Sequence, residues 1–357
     1  MEIAVRAFRR CPIDDASQVG EARRAAQALA TELAFDEESA GRLALAVTEL
    51  GTNLFRHVGP GRQAALLIGV DEPRVGNDLG AGGVGIQVLS LDQGNGMDLS
   101  RCLQDGYSTG GTAGTGLGAI RRMADRFGGF SAPQRGTVLA ARFGPRTDRS
   151  RLGMTVHTSD NAFDVAGLSL AAPGETVSGD AWALRRDEGR WSLAVADGLG
   201  HGLHAAEASD KLMALLARAE PPHLASPADF LERSHDLLRS TRGAASAALS
   251  LTPGGPLLFA GAGNISGRLI SGVSDRTLLS QHGTLGVQIR RLQDVVYDWP
   301  PHAVLVLYSD GIVSRWSLED TPGLLQADPA VIAGWILRDH LRGKDDATVV
   351  VVRRPHA

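Results

Sequence analysis

The sequence predicts an α+β protein of two domains, and three observations carry that prediction. The chain has 357 residues, 43% hydrophobic and 21% charged, an ordinary globular composition at a length that favours two domains. Its first part combines long helical periodicities with a few strands, whereas the part after residue 153 runs in short apolar stretches, glycine turns and few helices. Between them, GPRTDRSRLG at 144–153 is polar, charged and broken by Gly and Pro, which is linker composition. Domains are therefore placed at 1–145 and 154–357, with 146–153 as the linker.

Bulk properties narrow the function classes. A formal net charge of -4 gives no electrostatic case for nucleic acid or an anionic membrane. Cys11 and Cys102 stand far apart without CxxC spacing, so neither a disulfide scaffold nor a structural zinc site is expected, and a reducing cytoplasm fits. The opening MEIAVRAFRRCPIDD lacks the apolar stretch of a signal peptide, and no apolar run approaches the roughly 20 residues that span a bilayer.

In order along the first half, residues 2–8 alternate weakly as a strand. Asp14, Asp15 and Ser17 can cap a helix over 17–34, whose Val19, Ala22, Ala26, Leu29, Ala30 and Leu33 keep helical spacing. Asp36 precedes a second helix over 37–57, with Leu43, Ala46, Val47, Leu50 and Leu54 as its apolar stripe. Glu49 and Asn53 lie four apart beside that stripe, and His57 continues their line. Strands follow at 64–70 and 84–91, joined through the loop GNDLGAGGVG. The second strand ends in Asp92-Gln93-Gly94-Asn95-Gly96, a DxGxG. Further on, Gly110-Gly111-Thr112-Ala113-Gly114-Thr115-Gly116-Leu117-Gly118 leads into the helix AIRRMADRF. Glycine amides at a helix N-terminus can cradle phosphate. A lone glycine run is weak, there is no GxxxxGK[ST], and the DxGxG opens no βαβ unit.

The ordered set is more specific than its parts. ExxxN on a helix, DxGxG after a strand and GTGLG opening a helix resemble the GHKL ATPase family, within it the serine kinases and anti-sigma factors of the RsbT and RsbW type. The resemblance covers residues 1–145 and implies the Bergerat α/β sandwich, with GTVLAARF at 136–143 as its final strand. It implies that Asn53 holds Mg²⁺ bridging the phosphates of ATP and that Glu49 is the general base for an acceptor hydroxyl. Asp92 would accept a hydrogen bond from the adenine amino group, Gly94 and Gly96 would shape that pocket, and Gly114, Thr115, Gly116, Leu117 and Gly118 would line the phosphates.

The second half reads as strands near 154–158, 164–170, 181–185, 191–196, 244–251, 257–262, 267–270, 286–290, 294–298, 302–308 and 347–353, with helices near 203–219, 227–241 and 328–341. Many antiparallel-looking strands with few helices suggest a sandwich. Acidic residues fall at strand ends: Asp180 before a strand, Asp197-Gly198 and Asp310-Gly311 after apolar runs, Asp345-Asp346 before the last strand. A single Asp-Gly is ordinarily a turn. A carboxylate at a strand end in a glycine turn can also hold a hard cation, because carbonyls and waters reach the same ion.

Gly-Asp, then DGLGHG, then YSDG, then DDATVVVV resemble the metal-dependent (PPM) protein phosphatase family, in its SpoIIE, RsbU and RsbX branch. The segments FAGAGNI at 259–265 and GTLG at 283–286 look like that branch too. The resemblance implies a β-sandwich flanked by helices and two Mn²⁺ or Mg²⁺ ions. It assigns Asp180, Asp197 with the Gly198 carbonyl, Asp310 and Asp345 or Asp346 to those metals, Asp345 being favoured. Two such ions activate water and neutralise phosphate, as an otherwise very slow hydrolysis requires. His201 is either a general acid or a turn histidine packed near the site.

Together the two resemblances imply a partner-switching regulator: a serine/threonine phosphatase acting on a phosphorylated STAS-domain protein. Its first half would bind ATP with Mg²⁺ and either phosphorylate the same partner or hold it. The rival expectation is a binding module for a STAS partner or sigma factor, in which ATP is structural and gates the phosphatase without kinase turnover.

Overall fold

The computed structural model describes the chain apart from residues 1–6, 60, 72–73, 76–83, 104–115, 146–162, 188 and 355–357. The predicted linker 146–153, the strand expected at 154–158, and Gly114 and Thr115 lie outside the described residues.

The first helix, α1 (Ala16–Glu32), opens on a capping box in which Asp15 and Gln18 satisfy each other's backbone N–H. Its neighbour α2 (Glu37–His57) is capped by Asp36 and carries Glu37 and Glu38 at its positive end and Arg56 and His57 at its negative end. Both helices bury their stripes on a five-stranded antiparallel sheet. Its strands are β1 (Arg9–Pro12), β2 (Ala64–Val70), β4 (Ile86–Asp92), β5 (Arg126–Ala132) and β6 (Gly136–Phe143), in the order β1-β2-β4-β6-β5. Short helices α3 (Leu99–Cys102) and α4 (Gly116–Met123) complete this half. Most of the strand expected at 2–8 lies outside the described residues, and the first described strand is β1 at Arg9–Pro12. The helix expected after the glycine run stops at Met123, and the unpredicted β5 follows.

Two sheets make the second half. One has the order β16 (Val295–Tyr297), β11 (Leu257–Ala262), β10 (Ala244–Leu251), β9 (Arg190–Gly198), β8 (Asp180–Asp187) and β3 (Arg74–Val75). The other has the order β13 (Asp275–Leu278), β12 (Ser266–Ile270), β17 (Val304–Tyr308), β18 (Ala347–Arg353) and β7 (Asp164–Leu170). A small ribbon pairs β14 (Gly283–Thr284) with β15 (Gln288–Ile289). Trp182, Val195, Phe259, Leu305 and Val350 fill the space between the two sheets. Helices α5 (Leu203–Arg218) and α6 (Pro227–Leu238) cover the outer face of the first sheet. The expected sandwich flanked by helices is therefore present.

The halves are not separate bodies. Helix α7 (Pro329–His340) is buried all round and lies between two sheets. One side meets Leu168, Leu170, Val349 and Val351 of the sandwich, and the other meets Leu67, Leu89, Leu91, Val138 and Ala140 of the first half. A strand from the first half, β3, also pairs in parallel with β8. The molecule is thus a stack of α1 and α2, sheet, α7, sheet, sheet, α5 and α6. This explains why β2 reads as an unbroken apolar run, AALLIGV, rather than an alternating one: both of its faces are covered.

Candidate functional site

The acid cluster is assembled by strand register. Strands β8 and β9 pair so that Asp180 stands directly opposite Asp197. Like charges across a ladder oppose pairing, so this register works against stability at that point. Gly198 follows because its backbone lies against α5: a Cβ there would come 2.1 Å from the Ala205 carbonyl oxygen. Asp310 comes from the other sheet, just past β17, and Asp345 and Asp346 immediately precede β18. Neutral groups tie these carboxylates together. Ser309 Oγ donates to Asp180 Oδ2 at 2.6 Å and accepts from the Thr348 amide at 2.9 Å. Asn264 Nδ2 donates to Asp310 Oδ2 at 2.7 Å and lies 3.3 Å from Asp197 Oδ2.

Charge is expensive here. Burial pushes the Asp180 carboxyl well above the usual carboxylate range, and Asp197 pushes it further, against a hydrogen bond from Ser309. The Asp197 carboxyl is raised to about 7, by burial first and then by Asp310 and Asp345, with the Asn264 hydrogen bond opposing. Asp180 Oδ1 is buried without a hydrogen-bond partner among the described residues. An orphaned buried carboxylate oxygen beside other carboxylates is the donor set a hard divalent cation takes. Among the described residues no three acidic, histidine or cysteine side chains already converge on one metal-sized point. Asp180 Oδ2, Asp197 Oδ2 and Asp310 Oδ2 face the neutral donors Ser309 and Asn264 instead.

The two neighbouring aspartates separate in role. Asp346 is buried, and its oxygens accept from the Ala172 and Gly179 amides at 2.8 Å each, so it staples two loops. Asp345 is exposed, and its charge acts more strongly on Asp197 than that of Asp346 does. Asp346 acts on Asp180 as well as on Asp197, so both carboxylates of the pair lie in the field of the cluster. His201 is exposed, and its Nδ1 meets Glu175 Oε1 at 2.7 Å.

In the first half, Glu49 and Gly116 come together across α2 and α4: a Cβ on Gly116 would lie 2.5 Å from Glu49 Oε1. Only glycine lets that carboxylate reach the positive end of α4. Asn53 lies one turn along α2 and is half-buried. Asp92 is buried at the end of β4 and accepts from the Gly94 amide at 2.7 Å. Burial raises its carboxyl above the ordinary value, against hydrogen bonds from Gly94 and Thr137 and the charges of Arg338 and Arg62. Gly96 holds φ +77 with room for no side chain, since a Cβ would sit 2.4 Å from the Ala132 carbonyl oxygen. Gly118 is buried in α4, and the buried Leu117 packs into the core rather than facing outward.

Ser309, Asn264 and Arg338 escaped the sequence reading. Ser309 sits in YSDG, where adjacency to Asp310 was the available signal, and Asn264 sits in GAGN, where the only signal was its place in a segment resembling the phosphatase branch. Arg338 had none: its Nη1 donates to the carbonyl of Asp92, 246 residues away, at 2.6 Å.

A family model for Stage II sporulation protein E (SpoIIE) matches residues 187–355, and one for a histidine kinase-like ATPase domain matches residues 12–143. The serine/threonine-protein kinase RsbT of Bacillus subtilis (strain 168) is 31% identical over 121 residues, which is 34% of this chain and 84% of that protein. Among solved structures, a chain of the bacterial stressosome is 28% identical, covers 54% of this chain and 99% of its own, and superposes with a TM-score of 0.48. RsbX in complex with magnesium is 20% identical over 54% of this chain and 96% of its own, with a TM-score of 0.47. A Bacillus subtilis SpoIIE fragment holding the PP2C phosphatase domain is 15% identical over 96% of each chain, with a TM-score of 0.44.

Proposed function

The first half of this chain belongs to the RsbT family of serine/threonine kinases, in one polypeptide with a SpoIIE-type serine/threonine phosphatase domain, and we propose that it dephosphorylates a STAS-domain phosphoprotein while its ATP domain engages the same partner. It is a partner-switching regulator that we assign to the cytoplasm, in keeping with its two free cysteines. The observation that supports the phosphatase reading best is the meeting of Asp180 and Asp197 from one sheet with Asp310 from the other, linked through Asn264 and flanked by Ser309.

On this reading Asp180, Asp197 with the Gly198 carbonyl, Asp310 and Asp345 hold two Mn²⁺ or Mg²⁺ ions. When bound, such ions supply a nucleophilic water at neutral pH and neutralise the phosphoryl oxygens. The chain's residues do the rest. The strand register fixes Asp180 against Asp197, Ser309 orients Asp180, and Asp346 anchors the loop that carries Asp345. Domain boundaries at 1–145 and 154–357 go with this proposal.

The test is phosphate release from a phosphorylated STAS-domain protein with Mn²⁺ present. Asp310→Ala should reduce it at least about 100-fold, by analogy with loss of a group that stabilises transition-state charge. Release that survives in both Asp310→Ala and Asp197→Ala would remove the metal-site reading.

A second reading, in which ATP gates the phosphatase without kinase turnover, is favoured by the bond from Arg338 of α7 to the carbonyl of Asp92. On both readings Asp92, Gly94 and Gly96 would hold adenine, Asn53 would hold Mg²⁺, and the backbone at Gly116 and Gly118 would border the phosphates, with Leu117 packed into the core behind them. Labelled ATP separates them. Transfer to the partner that is lost in Glu49→Gln supports the kinase, and a stable complex without transfer supports gating.

A further inference from the structure

Asn264 links two of the proposed metal-holding aspartates without being a ligand itself. It lies in the turn between β11 and β12, where the chain crosses from one sheet of the sandwich to the other. The turn is fixed by Gly263, which holds φ +96 and leaves no room for a side chain: a Cβ would meet Ala245 Cβ at 2.6 Å. Ala245 itself pairs with Asp197 across β10 and β9. The Gly263 amide is bonded to the Gln281 carbonyl at 2.9 Å, which holds the corner from the other side. The backbone that carries Asn264 is therefore locked to the strand that carries Asp197.

The amide then spans the two sheets, donating to Asp310 of one and lying within reach of Asp197 of the other. Left alone, two carboxylates on separate sheets would swing apart under their repulsion. An amide offers two N–H donors and no charge, so it can hold both oxygens without displacing a cation.

We propose that Asn264 is a positioning residue of the phosphatase site, a neutral clamp that sets the spacing of the Asp197 and Asp310 carboxylates across the two sheets before cations bind. This rests on the metal-site reading given above. The clamp makes a specific demand: its loss should weaken metal binding while leaving the reaction competent once metal is saturating. Groups that orient metal ligands typically contribute about 10–100-fold in metal affinity.

The experiment is calorimetric titration of the full chain with Mn²⁺, alongside turnover of a phosphate monoester as a function of Mn²⁺ concentration. Asn264→Ala should bind Mn²⁺ at least about 10-fold more weakly. Its half-saturating metal concentration should move by the same factor, with the rate at saturating Mn²⁺ close to that of the wild type. Asn264→Gln, which keeps the amide, should recover part of the affinity. Asn264→Asp keeps the shape but replaces the donor with another anion, so the metal-free protein should melt below the wild type at pH 8. Wild-type Mn²⁺ affinity in Asn264→Ala, or an unchanged metal-free melting point in Asn264→Asp, would overturn the clamp. Failure of the wild type itself to bind Mn²⁺ would instead overturn the metal-site reading beneath it.

Discussion

Asp197 is held in a field that disfavours its own charge, and this fixes how stability should depend on pH. Its carboxyl titrates near 7 when folded, pushed up by burial and then by Asp310 and Asp345. In the unfolded chain an aspartate titrates near ~3.9. The folded state therefore keeps a proton that the unfolded chain gives up between those values. Stability from this group is fully present below the unfolded value and is lost as pH rises through about 7. Asp180, also raised and for the same first cause, adds in the same direction. Metal-free protein should consequently lose part of its thermal stability between pH 5 and pH 8. Comparison with Asp197→Asn isolates the effect from other titrating groups, because the amide carries no charge at either pH. We expect the substitution to raise the metal-free melting point at pH 8 and to flatten its fall from pH 5. In the wild type at pH 8, Mn²⁺ should restore what the carboxylate repulsion removes. Equal melting curves for Asp197→Asn and wild type in chelator at pH 8 would show that the repulsion is not felt.

Helix α7 shows what one element can do for two sheets. Trp335 is 1% exposed, stands edge-on to Phe130 at 5.0 Å between ring centroids, and carries the Arg338 guanidinium over its face at 3.7 Å. Phe130 belongs to the first half and Trp335 to the second, so the pair is part of the joint between them. Trp335→Ala should cost about 3–5 kcal/mol, the usual loss for emptying a large buried aromatic site. Urea titration followed by circular dichroism measures the loss, and limited proteolysis reports each half. Both halves should become susceptible together; destabilisation of the second half alone would mean that α7 does not join them. The sequence pattern made α2 plain, because its stripe and its caps agree on 37–57, and it placed β2, β7, β10, β11 and β18 within their observed bounds. It hid β5, where Gly128 and Gly129 weaken the strand pattern. Those glycines are needed because a Cβ would come 2.7 Å from Asp328 Cβ at one and 2.7 Å from Leu139 Cδ2 at the other. The carboxylates of the site were visible because each stands at one end of a strand: Asp197 and Asp310 before a glycine after an apolar run, Asp180 and Asp345 ahead of the strand that follows. The neutral residues that join them were not, since a serine or asparagine beside an aspartate has no periodicity to betray it. The double role of α7 left only the unbroken apolar run in β2 as a trace.

At the scale of the whole molecule, both candidate sites touch the same end of α7. On one side, Arg338 donates to the Asp92 carbonyl at 2.6 Å, and Gln93 Nε2 meets Asp339 Oδ1 at 3.4 Å. Arg338 is itself paired with Asp339 and its side chain is 4% exposed, so this contact is rigid rather than a surface tether. On the other side, the last residues of the helix hold the acid loops. The Val313 amide donates to the His340 carbonyl at 2.9 Å and the Arg342 amide to the Gly311 carbonyl at 2.8 Å, next to Asp310. Three residues after Arg342 comes Asp345. Adenine seated on Asp92 would therefore order a loop whose backbone is bonded to the element that anchors Asp310 and Asp345. Ordering one end of such a unit lowers the probability that the other end opens, which couples the sites without a large movement. A coupling of about 1–3 kcal/mol, or about 5–150-fold, is the ordinary size of such linkage. Hydrogen exchange on the full chain tests it, with ADP added at a constant excess of free Mg²⁺ so that metal occupancy does not change. ADP should slow exchange at 92–96 and also at 338–346, by at least about 5-fold in the second segment. In Arg338→Met the protection at 92–96 should persist and the protection at 338–346 should fall away. Protection confined to the first half in the wild type would mean that α7 holds the halves together without carrying any signal between them, whereas absence of protection in both segments would mean that the first half does not bind the nucleotide.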